Sequence, residues 1–92
     1  MQILGRAKLD DFGRRHAAAR KRLAAWEKAV QAAEWKNLVE LKGTFGSADL
    51  ADDEFVFNIG GNNFRLWAMV DFKAQTVLVT DVQTHSEYSR QR

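Results

Sequence analysis

Beyond residue 33, eight basic or phenolic side chains are of types that can grip a phosphate or move a proton: Lys36, Lys42, Arg65, Lys73, His85, Tyr88, Arg90 and Arg92. Such an inventory suits the cutting of RNA without a metal. The 2′-hydroxyl beside the scissile phosphate supplies the nucleophile. A base must take its proton, a cation must stabilise the crowded phosphorane, and an acid must protonate the leaving oxygen. Histidine suits acid or base work because it ordinarily titrates near neutrality. Arginine suits the phosphate because its planar fork holds two oxygens at once. Lysine offers a movable point charge for other phosphates. Residue type alone leaves a second reading open at two positions: His85 as an ordinary surface histidine, and Tyr88 as a cap on the core.

Other chemistries find no support. The chain has no cysteine, so disulfides and thiolate nucleophiles are excluded. His16 and His85 lie far apart and no HxxxH or CxxC spacing occurs, so no metal centre is expected. No cofactor is expected either. A phosphate-cradling GxxxxGKS loop and a serine elbow are absent, and Gly60-Gly61 falls in a hairpin rather than before a helix. No apolar stretch has the length of a signal peptide or membrane span, which points to a cytoplasmic chain with no membrane partner.

The elements that must position these groups are those of one domain, residues 1–92. A domain of this size has a small core, so a shallow surface site is expected rather than a deep cavity. Charge is uneven along it. Residues 1–45 carry ten Lys/Arg against five Asp/Glu, and residues 46–92 carry four against seven. The first half could meet a polyanion, although Arg14-Arg15 and Arg20-Lys21-Arg22 also read as solvated helix faces.

Met1–Leu4 reads as a short strand and Lys8–His16 as a short amphipathic helix, with a break near Gly13–His16. The alanine-rich run Ala17–Trp35 is the clearest helix, with Leu23, Trp26, Val30 and Ala33 forming one apolar stripe. Residues 37–50 read as a loop with a possible helical turn, punctuated by Gly43 and Gly46. From Phe55 the period becomes two. Strands are expected up to Ile59, from Phe64 to Phe72 and from Thr76 to Val82, joined by Gly60-Gly61-Asn62-Asn63 and Lys73-Ala74. The fold class is therefore α+β: an antiparallel meander joined by the N-terminal strand, with two N-terminal helices packed on one face.

Short turns fix the register. They set Asn58 opposite Arg65, Phe57 opposite Leu66, Val70 opposite Val77, Trp67 opposite Thr80 and Arg65 opposite Val82. Phe55, Phe57, Ile59, Phe64, Leu66, Ala68, Val70, Val77 and Val79 then form a continuous apolar face for the helices to bury. The opposite face carries Val56, Asn58, Arg65, Trp67, Met69, Leu78 and Thr80. Arg65 at a strand centre beside Asn58 is the first hint of a site. It also reads as an arginine whose stem crosses Trp67 and whose head reaches water.

The segments so reached resemble a known family. Ala33-Glu34-Trp35-Lys36-Asn37 is similar to the end of the long helix in HigB-type toxins. The run from Phe57 to Leu66 resembles that family's hairpin with its aromatic-Arg-Leu step, Asp71-Phe72-Lys73 its second turn, and Thr84-His85-Ser86-Glu87-Tyr88 its tail. The resemblance implies a RelE-like two-layer fold and endonucleolytic cleavage of mRNA, commonly on the translating ribosome. It also implies neutralisation by a helix-turn-helix antitoxin of the HigA kind. By the same resemblance Arg65 contacts the scissile phosphate, and His85 and Tyr88 take part in proton transfer or stacking. Lys36, Lys42, Asn58 and Lys73 are the expected RNA-binding residues. Two positions depart from the family pattern: Ser89 where members often carry aspartate, and Met69 where many carry a second basic residue. From other classes, a non-catalytic RNA- or ribosome-binding module and a partner-binding domain remain alternatives.

Overall fold

The alternating run after residue 54 and the alanine-rich run before it meet face to face in the structure, a computed structural model that describes residues 1–61 and 63–85. In chain order the elements are β1 (Gln2–Leu4), α1 (Arg6–Arg15), α2 (Ala17–Ala32), α3 (Leu38–Thr44), β2 (Asp49–Ala51), β3 (Glu54–Ile59), β4 (Phe64–Asp71) and β5 (Thr76–Thr84). The strands form one sheet in the order β1-β5-β4-β3-β2. β1 runs parallel to β5, and the other pairs are antiparallel. The α+β layering is as expected. Among the described residues, however, the sheet is mixed and five-stranded, and three helices rather than two are present.

The additional elements lie in residues 37–51, where the sequence suggests a loop with a possible helical turn and no strand. The Asn37 side chain accepts the Glu40 N–H at 3.0 Å, and the Glu40 carboxylate accepts the Lys36 N–H at 2.9 Å. This reciprocal capping starts α3 and satisfies donors that the first helical turn would leave open. Leu41 and Ala48 then bury fully, and β2 follows against β3.

α2 ends at Ala32, three residues short of the expected Trp35, because Ala33 is extended. The Met1 ammonium donates to the carbonyls of Val30, Gln31 and Ala33, a cation at the negative end of the helix. Trp35 turns back into the core, and its indole N–H donates to the Thr44 hydroxyl at 2.9 Å.

The core lies between the helices and one sheet face. Leu23, Trp26 and Val30 of α2 and Leu9 and Phe12 of α1 meet Phe57, Leu66, Val77 and Val79 of the sheet. Phe57 is edge-on to both Trp26 (5.4 Å) and Phe45 (5.2 Å), and Phe12 is edge-on to Phe64 (5.6 Å). Among the described residues no helix is long and apolar enough to cross a membrane.

Candidate active site

With the helices on one face, no helix or strand of the described residues covers the other face of β3–β5, the open face. The first hairpin has the expected register, with Ile59 opposite Phe64, Asn58 opposite Arg65 and Phe57 opposite Leu66. Phe57 is buried, so Arg65, paired across from its neighbour in the alternation, lies on the open face.

The second hairpin begins as expected at Val70–Val77 and then slips by one residue at a β-bulge between Trp67 and Ala68. Trp67 pairs with Asp81 rather than Thr80, and Arg65 with Gln83 rather than Val82. The physical reason lies in the apolar residues of β5. Val77, Val79 and Val82 all belong inside, and only an inserted residue lets Val82 join the other two. That residue is Thr80. Its hydroxyl lies against the Glu54 carboxylate and the Trp67 carbonyl.

The slip changes the surroundings of Arg65. It stands between two amides, Asn58 on β3 and Gln83 on β5, each one strand spacing away. That is roughly 4.8 Å on either side. Arg65 and Asn58 are half-buried and Gln83 is buried. Gln83 was not foreseen, because the expected register placed Val82 there. Gln83 also lines a shallow cavity, together with Glu54, Trp67, Thr80 and Asp81.

His85 follows β5 directly and is exposed. Its backbone N–H donates to the Asn63 carbonyl at 2.9 Å, which ties the end of β5 to the β3–β4 turn. Arg65 and His85 therefore sit at the same end of the sheet. Tyr88 lies outside the described residues.

The three lysines are not gathered at that end. Lys73 is in the β4–β5 turn, and the Gln75 amide of the same turn donates to the Trp35 carbonyl at 2.7 Å, which brings Lys36 to it. Arg65 is separated from Asp71, the last residue of β4, by six residues of strand, roughly 20 Å. Lys36 and Lys73 thus occupy the opposite end of the molecule. Lys42 is exposed on α3. Among the described residues no group of three or more His, Asp or Glu side chains is placed to hold a metal.

The model of HigB toxins, the RelE-like toxic component of a toxin-antitoxin system, matches residues 19–91. The chain belongs to the HigB toxin family. Curated members of similar sequence are the mRNA interferase toxin HigB of Escherichia coli and the mRNA interferase HigB of Shigella flexneri. Each is 32% identical over 91 residues, covering 96% of this chain and 88% of the relative. The family match takes in both the Arg65 end and the lysine end of this HigB-family chain, so membership alone does not say which end reacts. Among the described residues, the Arg65 end is the one where a cation is carried between paired strands with a histidine two residues beyond its cross-strand partner.

Proposed function

We propose that this chain is the toxin of a type II toxin–antitoxin system, an endoribonuclease that cleaves messenger RNA at the Arg65 end of the open sheet face. The observation that carries the reading is the setting of Arg65, a cation in a central strand between Asn58 and Gln83. Strand pairing on both sides fixes its backbone before substrate arrives. A preorganised cation of this kind stabilises phosphorane charge with little reorganisation. Asn58 orients a non-bridging oxygen or the ribose. His85 transfers a proton, and Tyr88 stacks on a base or orients the 2′-hydroxyl. The reaction passes through attack of that hydroxyl on phosphorus, breaks the bond to the 5′-oxygen, and leaves a 2′,3′-cyclic phosphate or its 3′-phosphate product. It needs no metal or cofactor.

Lys36 and Lys73 lie too far from Arg65 to share its phosphate. Their part, with Lys42, is contact with RNA away from the cleaved bond. The setting is the cytoplasm and the translating ribosome, and the neutralising partner is a helix-turn-helix antitoxin of the HigA kind.

The test is induced expression with growth measurement and mapping of mRNA ends. The parent should arrest growth and produce ends with cyclic or 3′-phosphate, and Arg65→Ala should relieve the arrest at equal expression. Cleavage should survive EDTA under conditions that leave any required ribosome intact. Arg65→Ala, His85→Ala and Tyr88→Ala all remaining as toxic as the parent would remove this site assignment.

A further inference from the structure

Between Asp11 and Glu27 the sequence has no acidic residue and five basic ones: Arg14, Arg15, Arg20, Lys21 and Arg22. The structure sorts them. Arg14 is paired with Asp11 at 2.5 Å, and its guanidinium holds that carboxyl below the usual carboxylate range. Arg20 reaches the Gly13 carbonyl at 3.5 Å, in the crevice between α1 and α2. Arg15, Lys21 and Arg22 are exposed, and no carboxylate of the described residues lies within ion-pair distance of them.

Two of these sit at the hairpin end. Arg15 lies over the Phe12 ring at 5.9 Å. His16 stacks on the same ring at 4.3 Å and comes within 6.3 Å of Phe64, which opens β4 one residue before Arg65. Arg22 lies across the β3–β4 turn. A Cβ at Gly60 would meet its Cδ at 3.4 Å, and Gly60 itself has a positive φ of 63°. A groove beside Arg22 is lined by Trp26, Phe45, Asn58, Ile59 and Gly60. β2 pairs no further along β3 than Val56, so the β3 edge at Asn58 and Ile59 is open there. The Trp26 indole N–H is buried and meets no acceptor among the described residues. The side-chain donors of the groove suit an acceptor-rich ligand.

We infer that Arg15, His16 and Arg22 form a second phosphate-binding station, which holds the RNA backbone flanking the cleaved bond where it passes over the Gly60–Asn63 turn from the open sheet face to the helical layer. The inference rests on the assignment of cleavage to the Arg65 end. Its residues are in the helical layer, so they hold a different phosphate from the one at Arg65. A polyanion fits better than a basic peptide because, among the described residues, the corner presents Arg15 and Arg22 without an ion pair and offers no carboxylate to match a basic partner.

The experiment measures binding of a short single-stranded RNA oligonucleotide by the whole free protein over a range of salt concentrations. Four proteins are compared: the parent, the Arg15→Gln/Arg22→Gln double variant, Lys36→Gln, and Arg65→Ala. Glutamine keeps most of the Arg22 stem over Gly60. Each phosphate contact on a single strand contributes about 0.7 to the slope of log affinity against log salt. The double variant should flatten the slope by about 1.4 and weaken binding several-fold or more at low salt. Its cleavage rate at saturating RNA should fall far less than that of Arg65→Ala. An unchanged slope and affinity in the double variant would overturn the station. So would an effect confined to affinity for the antitoxin. A loss of saturating rate as large as that of Arg65→Ala would place these residues at the reacting phosphate and also overturn it. If Arg65→Ala instead cleaves at the parent rate, the cleavage assignment fails, and the salt slope still reports on the corner independently.

Discussion

At the hairpin end of the sheet Arg65 is flanked by Asn58 and Gln83, and the strands that carry all three are paired to one another. At the turn end Lys36 and Lys73 stand exposed on loops, and the polar group held in place there is Gln75. Its amide donates to the carbonyls of Trp35 and Phe72, at 2.7 Å each, from a backbone with φ 58°. Both ends are basic, but one fixes a cation and the other fixes a loop junction. A charge that must meet a transition state gains from being held before the reaction, whereas a lysine on a mobile stem must be ordered first. The difference predicts that damage at the two ends will show in different measurements.

The largest effect should come from the core that supports the hairpin end. Phe57→Ala removes a buried ring that meets Trp26 and Phe45 and should cost about 3–5 kcal/mol of stability in denaturant unfolding. A cost near zero would mean that the hairpin is not held from beneath.

Next, Gln75→Ala should lower stability by about 1–3 kcal/mol, because two carbonyls lose their donor while the strained backbone remains. Its RNA cleavage rate should stay close to the parent's. A large loss of rate without loss of stability would break the distinction between the ends.

The smallest effect is expected at Asp11, which lies on α1 and is fully exposed. Its folded-state pKa is depressed, first by the hydrogen bond from Arg14 and then by that charge. A depressed carboxylate contributes stability that is present above its unfolded pKa and lost as pH falls through the folded one. Asp11→Asn should therefore differ slightly from the parent at neutral pH and converge with it in acid. A variant that diverges further as pH falls would contradict the sign.

Much of this contrast was legible in the sequence. The alternation from Phe55 and the Gly60–Asn63 turn together placed Arg65 opposite Asn58 and away from the core. The β5 bulge was also written there, less visibly. Val77 and Val79 keep a period of two, and the next buried valine comes at 82 rather than 81, a phase slip that marks an inserted residue. The capping pair Asn37 and Glu40 likewise announced α3, but Gly43 and Gly46 drew attention to a loop. The separation of Lys36 and Lys73 from Arg65 was not legible. It depends on the side-chain bond from Gln75 to Trp35 and on the strand directions, neither of which has a local sequence signal. The position of Arg22 over Gly60 is of the same kind, since periodicity gives a helix face and not the neighbour it meets.

The most direct test of the central claim is a comparison of single-turnover RNA cleavage, at saturating enzyme, by Arg65→Ala and by the Lys36→Ala/Lys73→Ala double variant. Both should first be shown to unfold like the parent. The account predicts a loss of about 10²–10³-fold in rate for Arg65→Ala, the scale for removing one preorganised donor to developing charge. It predicts a rate within a few-fold of the parent for the double lysine variant, with the deficit appearing in affinity. A parent-like rate for Arg65→Ala, with the large loss falling on the lysine pair, would contradict it and move the chemistry to the other end of the sheet.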